Sequence, residues 1–208
     1  MTLFNRIGQI KLVPVIKIED LSGAIPLADA LIKGGLSCAE ITFRTSVAPR
    51  AIENIRNEFP QMLIGAGTVL NPDQAATAVK CGADFIVTPG FNEKVVSYCC
   101  EKDYPVLPGV CTPTEIETAL SFGLKYLKFF PAEICGGVNM IRTLSAPYPT
   151  VRFMPTGGVS LSNVTDYLSC KSVFACGGSW MVPAYLLNSG DFDGIMRLTA
   201  EAVAAVKA

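Results

Sequence analysis

Short apolar runs alternate with amphipathic stretches along the chain, and this alternation constrains the fold more than any other feature. Eight runs have the length of buried strands, at residues 12–18, 39–43, 63–69, 85–89, 105–110, 126–131, 151–155 and 172–176. Helical patterns separate some of them, at 27–32, 48–59, 73–79 and 115–120, and a glycine or proline follows each stretch closely. Strands that alternate with helices in this way predict a parallel sheet.

Eight strand–helix units within 208 residues predict an α/β fold of the (β/α)8 TIM barrel type, in which the sheet closes on itself. An open, doubly wound sheet is the alternative, although eight strands in that arrangement usually need a longer chain. No linker rich in proline, glycine or serine divides the series, so we expect one domain over residues 1–208, with a short helix at its amino end. Active sites of such barrels lie at the carboxyl ends of the strands, which makes strand-end residues the candidates.

Composition argues against several classes of partner and chemistry. Charged residues make up 17% of the chain, the net charge is -1 and no basic block occurs, so we expect no binding to nucleic acid or to an anionic membrane. No apolar run approaches the roughly 18 residues of a membrane span, and the first residues lack the apolar core of a signal peptide, which predicts a cytoplasmic protein. Because the chain contains no histidine, a histidine-based triad or metal site is excluded.

Eight cysteines are spread over the chain, at positions 38, 81, 99, 100, 111, 135, 170 and 176. No two of them form a Cys-x-x-Cys pair, and most lie within apolar runs, where a free cysteine behaves as a small hydrophobic residue. A chain long enough for a large core does not need disulfides, so we expect buried, reduced thiols.

Lys128 lies inside an apolar run that predicts a strand. Side chains alternate along a strand, so Lys128 and Phe130 would face the barrel interior. Their neighbours Leu127 and Phe129 would face the helices. Burial of an amine favours its neutral form, and the neutral amine is a nucleophile for a carbonyl carbon. The alternative is a surface lysine, a role that Lys125 suits better because it precedes the strand.

The run 39–43 carries polar residues at alternate positions, and the pattern Glu40, Thr42, Arg44 continues past its end. All three side chains would share the interior face of one strand, where packing alone does not explain them. A carboxylate in this place suits an acid–base catalyst, and an arginine near the strand end suits the binding of an anion. An internal structural salt bridge is the alternative.

Two glycine-rich segments follow the last two predicted strands. The segment 156–158 (Thr-Gly-Gly) follows the seventh run and the segment 177–179 (Gly-Gly-Ser) follows the eighth, which are the places where barrels often bind phosphate. Glycine lets backbone N–H groups approach an oxyanion closely. The pair of segments therefore indicates a phosphate site, although each alone is compatible with a simple tight turn.

The segment 65–69, Gly-Ala-Gly-Thr-Val, begins like a dinucleotide-binding fingerprint, but Leu70 occupies the place of its third glycine. Small residues at this strand end would instead leave room for a ligand, with Thr68 able to reach a substrate carboxylate. Pro89 and Pro108 are each followed by glycine near a strand end, and they are compatible with turns alone.

In combination, these segments resemble the KDPG/KHG aldolases, which are class I aldolases for 2-keto-3-deoxy-6-phosphogluconate and 4-hydroxy-2-oxoglutarate. The resemblance extends over essentially the whole chain and is carried by the segments 40–45, 65–69, 128–133, 155–159 and 177–180. The segment Lys-Phe-Phe-Pro-Ala-Glu at 128–133 is highly specific. The family implies a barrel that commonly forms a homotrimer. It also implies a reaction without a metal or other cofactor, because a protonated imine is itself the electron sink.

The resemblance implies roles for the reacting end of the site. Lys128 would form the imine with the C2 ketone of the substrate, and Phe130 would pack beside it. Glu40 would move the proton of the C4 hydroxyl through a water and later protonate the enamine. Arg44 and Thr68 would hold the carboxylate of the pyruvyl part.

The resemblance also implies roles for the distal end of a phosphorylated keto-acid substrate. Pro89 and Thr156 would be further substrate contacts, and a threonine beside Gly-Gly favours the gluconate over the galactonate stereoisomer. The distal phosphate would be bound by Gly157, Gly158, Gly178 and Ser179.

Other functions stay open at this point. The substrate could be 4-hydroxy-2-oxoglutarate or the galactonate stereoisomer, and oxaloacetate decarboxylation would be a side reaction of the same imine. A barrel isomerase would use Lys128 as a charged anchor, and a decarboxylase of β-keto acids is a related alternative. A non-catalytic phosphate-binding barrel is disfavoured, because pure binding does not need a buried amine beside Glu40 and Arg44.

Overall fold

The computed structural model describes residues 2–207, in which short strands and helices alternate. The strands are β1 (Leu12–Ile16), β2 (Cys38–Thr42), β3 (Leu63–Gly67), β4 (Phe85–Val87), β5 (Val106–Leu107), β6 (Gly109–Val110), β7 (Tyr126–Phe129), β8 (Arg152–Pro155) and β9 (Cys176–Gly178). The helices are α1 (Leu3–Ile10), α2 (Ala24–Lys33), α3 (Ala48–Glu58), α4 (Pro72–Lys80), α5 (Glu93–Glu101), α6 (Pro113–Ser121), α7 (Gly137–Ser145), α8 (Val164–Ser169), α9 (Ala184–Ser189) and α10 (Phe192–Lys207). A short 3-10 helix, Leu21–Gly23, precedes α2.

The strands form a closed ring of parallel neighbours. β5, β4, β3, β2, β1 and β9 pair in that order, and β6, β7 and β8 form a second segment of sheet. Bridges between Phe153 and Val173 and between Thr156 and Gly177 close the gap beside β8. β5 and β6 are two halves of one barrel strand, which is interrupted at Pro108 because proline has no N–H to donate to the ladder. The ring has eight strand positions, so the predicted TIM barrel is confirmed.

The four predicted helical stretches lie within or against α2, α3, α4 and α6, and α1 is the expected leading helix. Asn71, Asn92 and Thr112 cap α4, α5 and α6 with their side chains, as asparagine and threonine commonly do at helix starts. At α6 the capping box is complete, since Glu115 reaches back to the N–H of Thr112.

Serine is a common residue at the start of a helix, but no helix begins at Ser160. α8 begins at Val164, and Asn163 explains the delay. The Asn163 side chain accepts a hydrogen bond from the N–H of Ser160 (2.8 Å) and donates one to the carbonyl of Gly158 (3.1 Å). These two bonds hold residues 158–163 as a compact loop.

The eighth strand was expected at residues 172–176, and this placement is wrong by several residues. The strand β9 begins at Cys176 and includes Gly177 and Gly178, which sequence reasoning assigned to a turn. A Cβ on Gly177 would lie 2.4 Å from Thr156 Oγ1, and one on Gly178 would lie 2.0 Å from the Trp180 ring. Glycine is therefore required here by close neighbours within a strand rather than by a turn.

Apolar side chains fill the interior of the barrel at its amino end. This interior cluster contains Ile7, Val13, Cys38, Leu63, Phe85, Val87, Leu107, Met154 and Ala175. The helix α1 covers the opening: Ile7 is fully buried, and the Phe4 ring stacks on Tyr126 at a centroid distance of 5.0 Å. A larger apolar layer, which includes Leu127 and Phe129, lies between the strands and the helices, as the alternation of side chains predicts. Open space for a ligand is left at the carboxyl end.

All eight cysteines are free thiols, as expected. Four of them are buried, namely Cys38, Cys99, Cys170 and Cys176. The other four lie at or near the ends of strands or helices and are only partly buried, so the expectation of burial is correct for half of the set. Among residues 2–207, no helix is long and apolar enough to cross a membrane.

Candidate active site

The candidate site is centred on a contact between Lys128 of β7 and Glu40 of β2. Lys128 Nζ lies 3.3 Å from Glu40 Oε1, and the two residues are 5% and 0% exposed. Both side chains point into the barrel from their strands, as the alternation along each strand predicts. The amine and the carboxylate are therefore brought together in an environment that excludes most water.

Two glycines of β3 have no side chain, and this leaves room inside the barrel for Glu40 and Phe85. A Cβ on Gly67 would lie 2.1 Å from Glu40 Oε1, so only glycine accommodates the carboxylate in this position. A Cβ on Gly65 would lie 2.4 Å from the Phe85 ring, which fills the barrel below the site. The small residues of segment 65–69 thus make room for the Glu40 carboxylate rather than for a dinucleotide.

Glu40 has one carboxylate oxygen that the protein does not satisfy. Oε1 faces Lys128, whereas Oε2 is buried without a hydrogen-bond partner among the described residues. An unpaired buried carboxylate oxygen is costly in a purely structural salt bridge. It is the arrangement that an acid–base group needs, because the free oxygen can exchange a proton with a bound molecule.

The three polar residues expected on one strand face have separate partners. Glu40 contacts Lys128, and Thr42 donates a hydrogen bond to the carbonyl of Ile16 (3.0 Å). Arg44 is exposed and donates from Nε to Thr68 Oγ1 (3.1 Å). An internal salt bridge between Glu40 and Arg44 is therefore not what explains this pattern.

Thr68 has a backbone conformation that suits its contact with Arg44. Its φ is +55°, in the left-handed region that residues other than glycine rarely adopt. This conformation turns the chain immediately after β3 and places the Thr68 hydroxyl on the guanidinium. Strained backbone of this kind is concentrated at functional sites.

A cavity of about 320 Å³ lies next to the amine–carboxylate pair, although neither Lys128 nor Glu40 lines it. Phe130 connects the two, since its ring centroid is 5.4 Å from Lys128 Nζ and its side chain lines the cavity. Seven of the predicted site residues line this cavity, namely Arg44, Phe130, Thr156, Gly157, Gly158, Gly178 and Ser179. The volume is that of a pocket for a small molecule.

Thr68 and Pro89 are the predicted substrate contacts that do not line this cavity. Thr68 reaches it only through Arg44. Pro89 lies against the interrupted fifth strand, where a Cβ on Gly109 would be 2.2 Å from the Pro89 carbonyl oxygen. The glycine after Pro108 therefore allows the close approach of two strand ends, which is a structural role.

The far end of the cavity is formed by the turn after β8 and by the end of β9. Gly157 and Gly158 have φ values of +97° and +84°, so their backbone follows a path that other residues would strain to adopt. Thr156, at the start of this turn, is buried and its Oγ1 has no hydrogen-bond partner among the described residues. Ser179 adds an exposed hydroxyl on the opposite wall.

Lys17 is a cavity residue that sequence reasoning missed. It follows β1, lines the cavity with Val15, and lies 2.5 Å from the exposed carboxylate of Glu19. Its signal in the sequence is a charged residue within the first apolar run, on the same face as Val15. Residues 182–184 and Leu187, around the start of α9, complete the wall, and no sequence feature singled them out.

A parallel barrel with a buried lysine and carboxylate at the carboxyl ends of its strands has the features of an imine-forming, class I aldolase. Among residues 2–207, no group of three or more cysteine and carboxylate side chains is arranged to hold a metal ion. The family of KDPG and KHG aldolases matches residues 3–198. The chain belongs to this family, and it is an aldolase, a carbon–carbon lyase.

Relatives with assigned activities match over nearly their whole length. A 2-dehydro-3-deoxy-phosphogluconate aldolase of Treponema pallidum (strain Nichols) is 47% identical over 206 residues, which cover 99% of this chain and 98% of the relative. A KHG/KDPG aldolase of Escherichia coli (strain K12) is 46% identical over 195 residues, which cover 94% of this chain and 92% of the relative.

Solved structures of similar aldolases superpose closely on this barrel. A KDPG aldolase from Legionella pneumophila, with pyruvate captured as a covalent carbinolamine intermediate, has a TM-score of 0.92 at 38% identity and covers 96% of this chain and 97% of its own. The 2-keto-3-deoxy-6-phosphogluconate aldolase of Zymomonas mobilis ZM4, with 3-phosphoglycerate, has a TM-score of 0.90 at 36% identity, with 97% and 95% covered.

Proposed function

We propose that this aldolase cleaves 2-dehydro-3-deoxy-6-phosphogluconate to pyruvate and glyceraldehyde 3-phosphate, with Lys128 as the imine-forming nucleophile. The observation that carries the assignment is the buried contact of 3.3 Å between Lys128 Nζ and Glu40, which the Phe130 ring links to the cavity. One group of this pair can bond to a ketone carbon, and the other can move protons beside it.

The first stage forms the imine. The neutral amine of Lys128 attacks the C2 ketone, and a proton passes from the nitrogen to the carbonyl oxygen to give a carbinolamine. The carbinolamine hydroxyl then takes a proton from solvent and leaves as water, which yields the protonated imine. Glu40, whose Oε1 contacts the amine, orients the amine for this attack, a role that a neutral side-chain oxygen would also fill. Low exposure of both groups keeps bulk water away from the reacting carbon.

The second stage breaks the bond between C3 and C4. A base takes the proton of the C4 hydroxyl, C4 becomes the aldehyde of glyceraldehyde 3-phosphate, and the bonding electron pair moves into the imine to give an enamine. The enamine then takes a proton at C3, and hydrolysis of the imine releases pyruvate and restores Lys128. We assign the proton transfers to Glu40, because its Oε2 is buried and unpaired. The imine accepts the electrons, so the mechanism requires no metal.

The cavity supports a substrate with an anion at each end. Arg44 projects from the end of β2 and suits the carboxylate of the pyruvyl part, with Thr68 fixing its guanidinium. The glycine turn at Gly157 and Gly158, with Gly178 and Ser179 opposite, suits the phosphate, and Thr156 offers an unpaired hydroxyl to the chain between them. Pro89 does not line the cavity, but its carbonyl oxygen lies against Gly109, which pairs with Lys128 across neighbouring strands, so we assign Pro89 a place beside the imine.

Borohydride reduction in the presence of pyruvate, followed by peptide mass mapping, tests the nucleophile. We expect a stable adduct on Lys128, and we expect Lys128→Met to abolish both the adduct and cleavage, with a loss of at least about 10⁴-fold in kcat. Lys125→Met is the matched control, because Lys125 is exposed and precedes β7. A folded protein that gives no adduct on any lysine would reject the imine mechanism.

A second candidate substrate is 4-hydroxy-2-oxoglutarate, because the Escherichia coli relative is named for both activities. This substrate has no phosphate, so it would leave the glycine turn unused. Cleavage assays on 2-dehydro-3-deoxy-6-phosphogluconate, its galactonate stereoisomer and 4-hydroxy-2-oxoglutarate rank the alternatives. The phosphate assignment predicts a higher kcat/KM for the two phosphorylated acids than for 4-hydroxy-2-oxoglutarate, and a preference for the unphosphorylated acid would contradict it. Between the two stereoisomers, Thr156 beside Gly157 and Gly158 favours the gluconate form.

We also propose that residues 1–208 form a single domain, which assembles as a homotrimer and works in the cytoplasm in the Entner–Doudoroff route. Contacts between the two ends of the chain support the first point, since Lys11 Nζ, just after α1, donates to the Val206 carbonyl of α10 (2.7 Å). Residues 1 and 208 lie outside the described part. Exposed apolar side chains at Leu70, Ile134 and Tyr185 offer contact surface for assembly. Light scattering on the purified protein measures the assembly state.

A further inference from the structure

Glu133 ends the segment that begins with Lys128, but it does not line the cavity. Its Oε1 accepts a hydrogen bond from Tyr167 Oη of α8, and Tyr167 is only 1% exposed. Burial, reinforced by this hydrogen bond, raises the pKa of Tyr167, so the phenol stays protonated and donates to the carboxylate. An exposed residue is therefore anchored on a buried one, in an interaction that the imine chemistry does not use.

The side-chain stem of Glu133 packs on the glycine turn of the cavity. A Cβ on Gly158 would lie 2.4 Å from Glu133 Cγ and 2.6 Å from its Cβ. The backbone adds two hydrogen bonds, from Ala132 N to the Thr156 carbonyl (2.8 Å) and from Glu133 N to the Gly157 carbonyl (3.0 Å). The end of β7 and the turn after β8 are thus held together by backbone and side chain.

The space around the Glu133–Tyr167 hydrogen bond is kept clear by another glycine. Gly137 has a φ of +60°, and a Cβ there would lie 3.3 Å from Glu133 Oε1 and 3.4 Å from Tyr167 Oη. Any larger residue would press on both partners. Glycine at position 137 therefore leaves room for the hydrogen bond between Glu133 and Tyr167.

We propose that Glu133 is a positioning residue, which links Tyr167 to Gly158 and so holds the turn at Gly157 and Gly158 in the conformation that receives the substrate phosphate. The inference rests on the proposed function, in which this turn binds phosphate. The Glu133 carboxylate is directed at Tyr167 and its stem at Gly158, so Glu133 acts through the turn and does not contact the substrate.

Steady-state kinetics on three variants test this role, with the phosphorylated acid and the same acid without its phosphate as substrates. Glu133→Ala should raise KM for the phosphorylated substrate about tenfold, because an anchoring hydrogen bond to a charged group is lost. Its kcat, its KM for the unphosphorylated acid and its trapping by pyruvate should stay at wild-type values. Glu133→Gln keeps an acceptor for Tyr167 Oη and should restore most of the wild-type KM.

The outcomes separate this inference from the function on which it rests. A wild-type enzyme that is not trapped by pyruvate, or that does not prefer the phosphorylated acid, contradicts the proposed function. A wild-type enzyme that prefers it, with Glu133→Ala showing an unchanged KM or an equal loss on both substrates, overturns the role of Glu133. Tyr167→Phe, which removes only the hydroxyl, is expected to raise the same KM and decides the matter if Glu133→Ala does not fold.

Discussion

At the amino end of the barrel, apolar side chains such as Val13, Leu63 and Met154 fill the interior beneath α1. At the carboxyl end, the interior holds an ion pair, a carboxylate oxygen without a partner and a cavity of about 320 Å³. The first arrangement stabilises the fold, because apolar surface leaves water. The second costs stability, because charges are desolvated. Along its axis, the barrel therefore separates the residues that support the fold from those that surround the candidate active site.

At the carboxyl end, Glu40→Gln should impair catalysis and leave stability almost unchanged. The glutamine keeps the volume of Glu40 and an oxygen within reach of Lys128, so we expect imine trapping with pyruvate to persist and the unfolding free energy to change little. Cleavage of the bond between C3 and C4 should slow by about 10³-fold, because the base for the C4 hydroxyl is lost. Single-turnover kinetics with borohydride trapping distinguish the two steps.

Two further variants distinguish loss of the Glu40 carboxylate from a general effect of substitution. Glu58→Gln is the matched control, since Glu58 is an exposed carboxylate at the end of α3. Gly67→Ala should reproduce the slow cleavage without removing any functional group, because the added Cβ would lie 2.1 Å from Glu40 Oε1 and displace the carboxylate. Equal loss of imine formation and cleavage in Glu40→Gln would indicate a structural role for Glu40 instead.

Near the amino end we expect the reverse, namely a substitution that lowers stability and leaves activity unchanged. Arg56 of α3 lies there and joins the start of β3 to the start of β4. Its guanidinium donates to the carbonyls of Gly82 (3.0 Å), Pro60 (2.7 Å) and Met62 (3.0 Å) and pairs with Asp84. Arg56→Ala should lower the free energy of unfolding by about 2 kcal/mol, a value limited by partial exposure of the pair. Urea denaturation measures the loss.

Activity should remain with Arg56→Ala under conditions in which the protein is folded, because Arg56 is remote from the cavity wall. Arg50→Ala, on the exposed face of the same helix, should leave both stability and activity near wild type. A specific fall in kcat without a fall in stability would contradict the division between the two ends.

The periodic parts of this molecule are those that its sequence predicts. Alternation of strands and helices suffices for the barrel, and alternation of side chains within two strands suffices to turn Lys128 and Glu40 inward. The contact between them joins residues 88 positions apart. Single-sequence periodicity does not encode such a pairing, so the resemblance to a family, rather than the spacing, supplied it.

The parts that escaped prediction depend on neighbours from distant segments. The register of β9 is determined by Thr156 and Trp180, which leave room only for glycine at positions 177 and 178. The delayed start of α8 depends on two hydrogen bonds of Asn163. Lys17 faces the cavity only because β1 lies beside β9 and β2 in the closed ring. Local propensity carries none of this information.

The buried thiol of Cys99 gives a smaller and pH-dependent effect on stability, which tests the packing of the core. Burial raises the pKa of Cys99 from its ordinary value of 9.0 to about 12. Below pH 9.0 the thiol is protonated in both the folded and unfolded states, so its contribution to stability is complete. As the pH rises above that value, the unfolded chain releases the proton first, and stability falls by about 1.4 kcal/mol per pH unit for this thiol.

Urea denaturation at pH 8 and pH 10 should therefore show a smaller pH-dependent loss in Cys99→Ala than in the wild-type protein, with lysine titration common to both. An identical loss in the two proteins would mean that Cys99 ionises as freely in the folded barrel as in the unfolded chain.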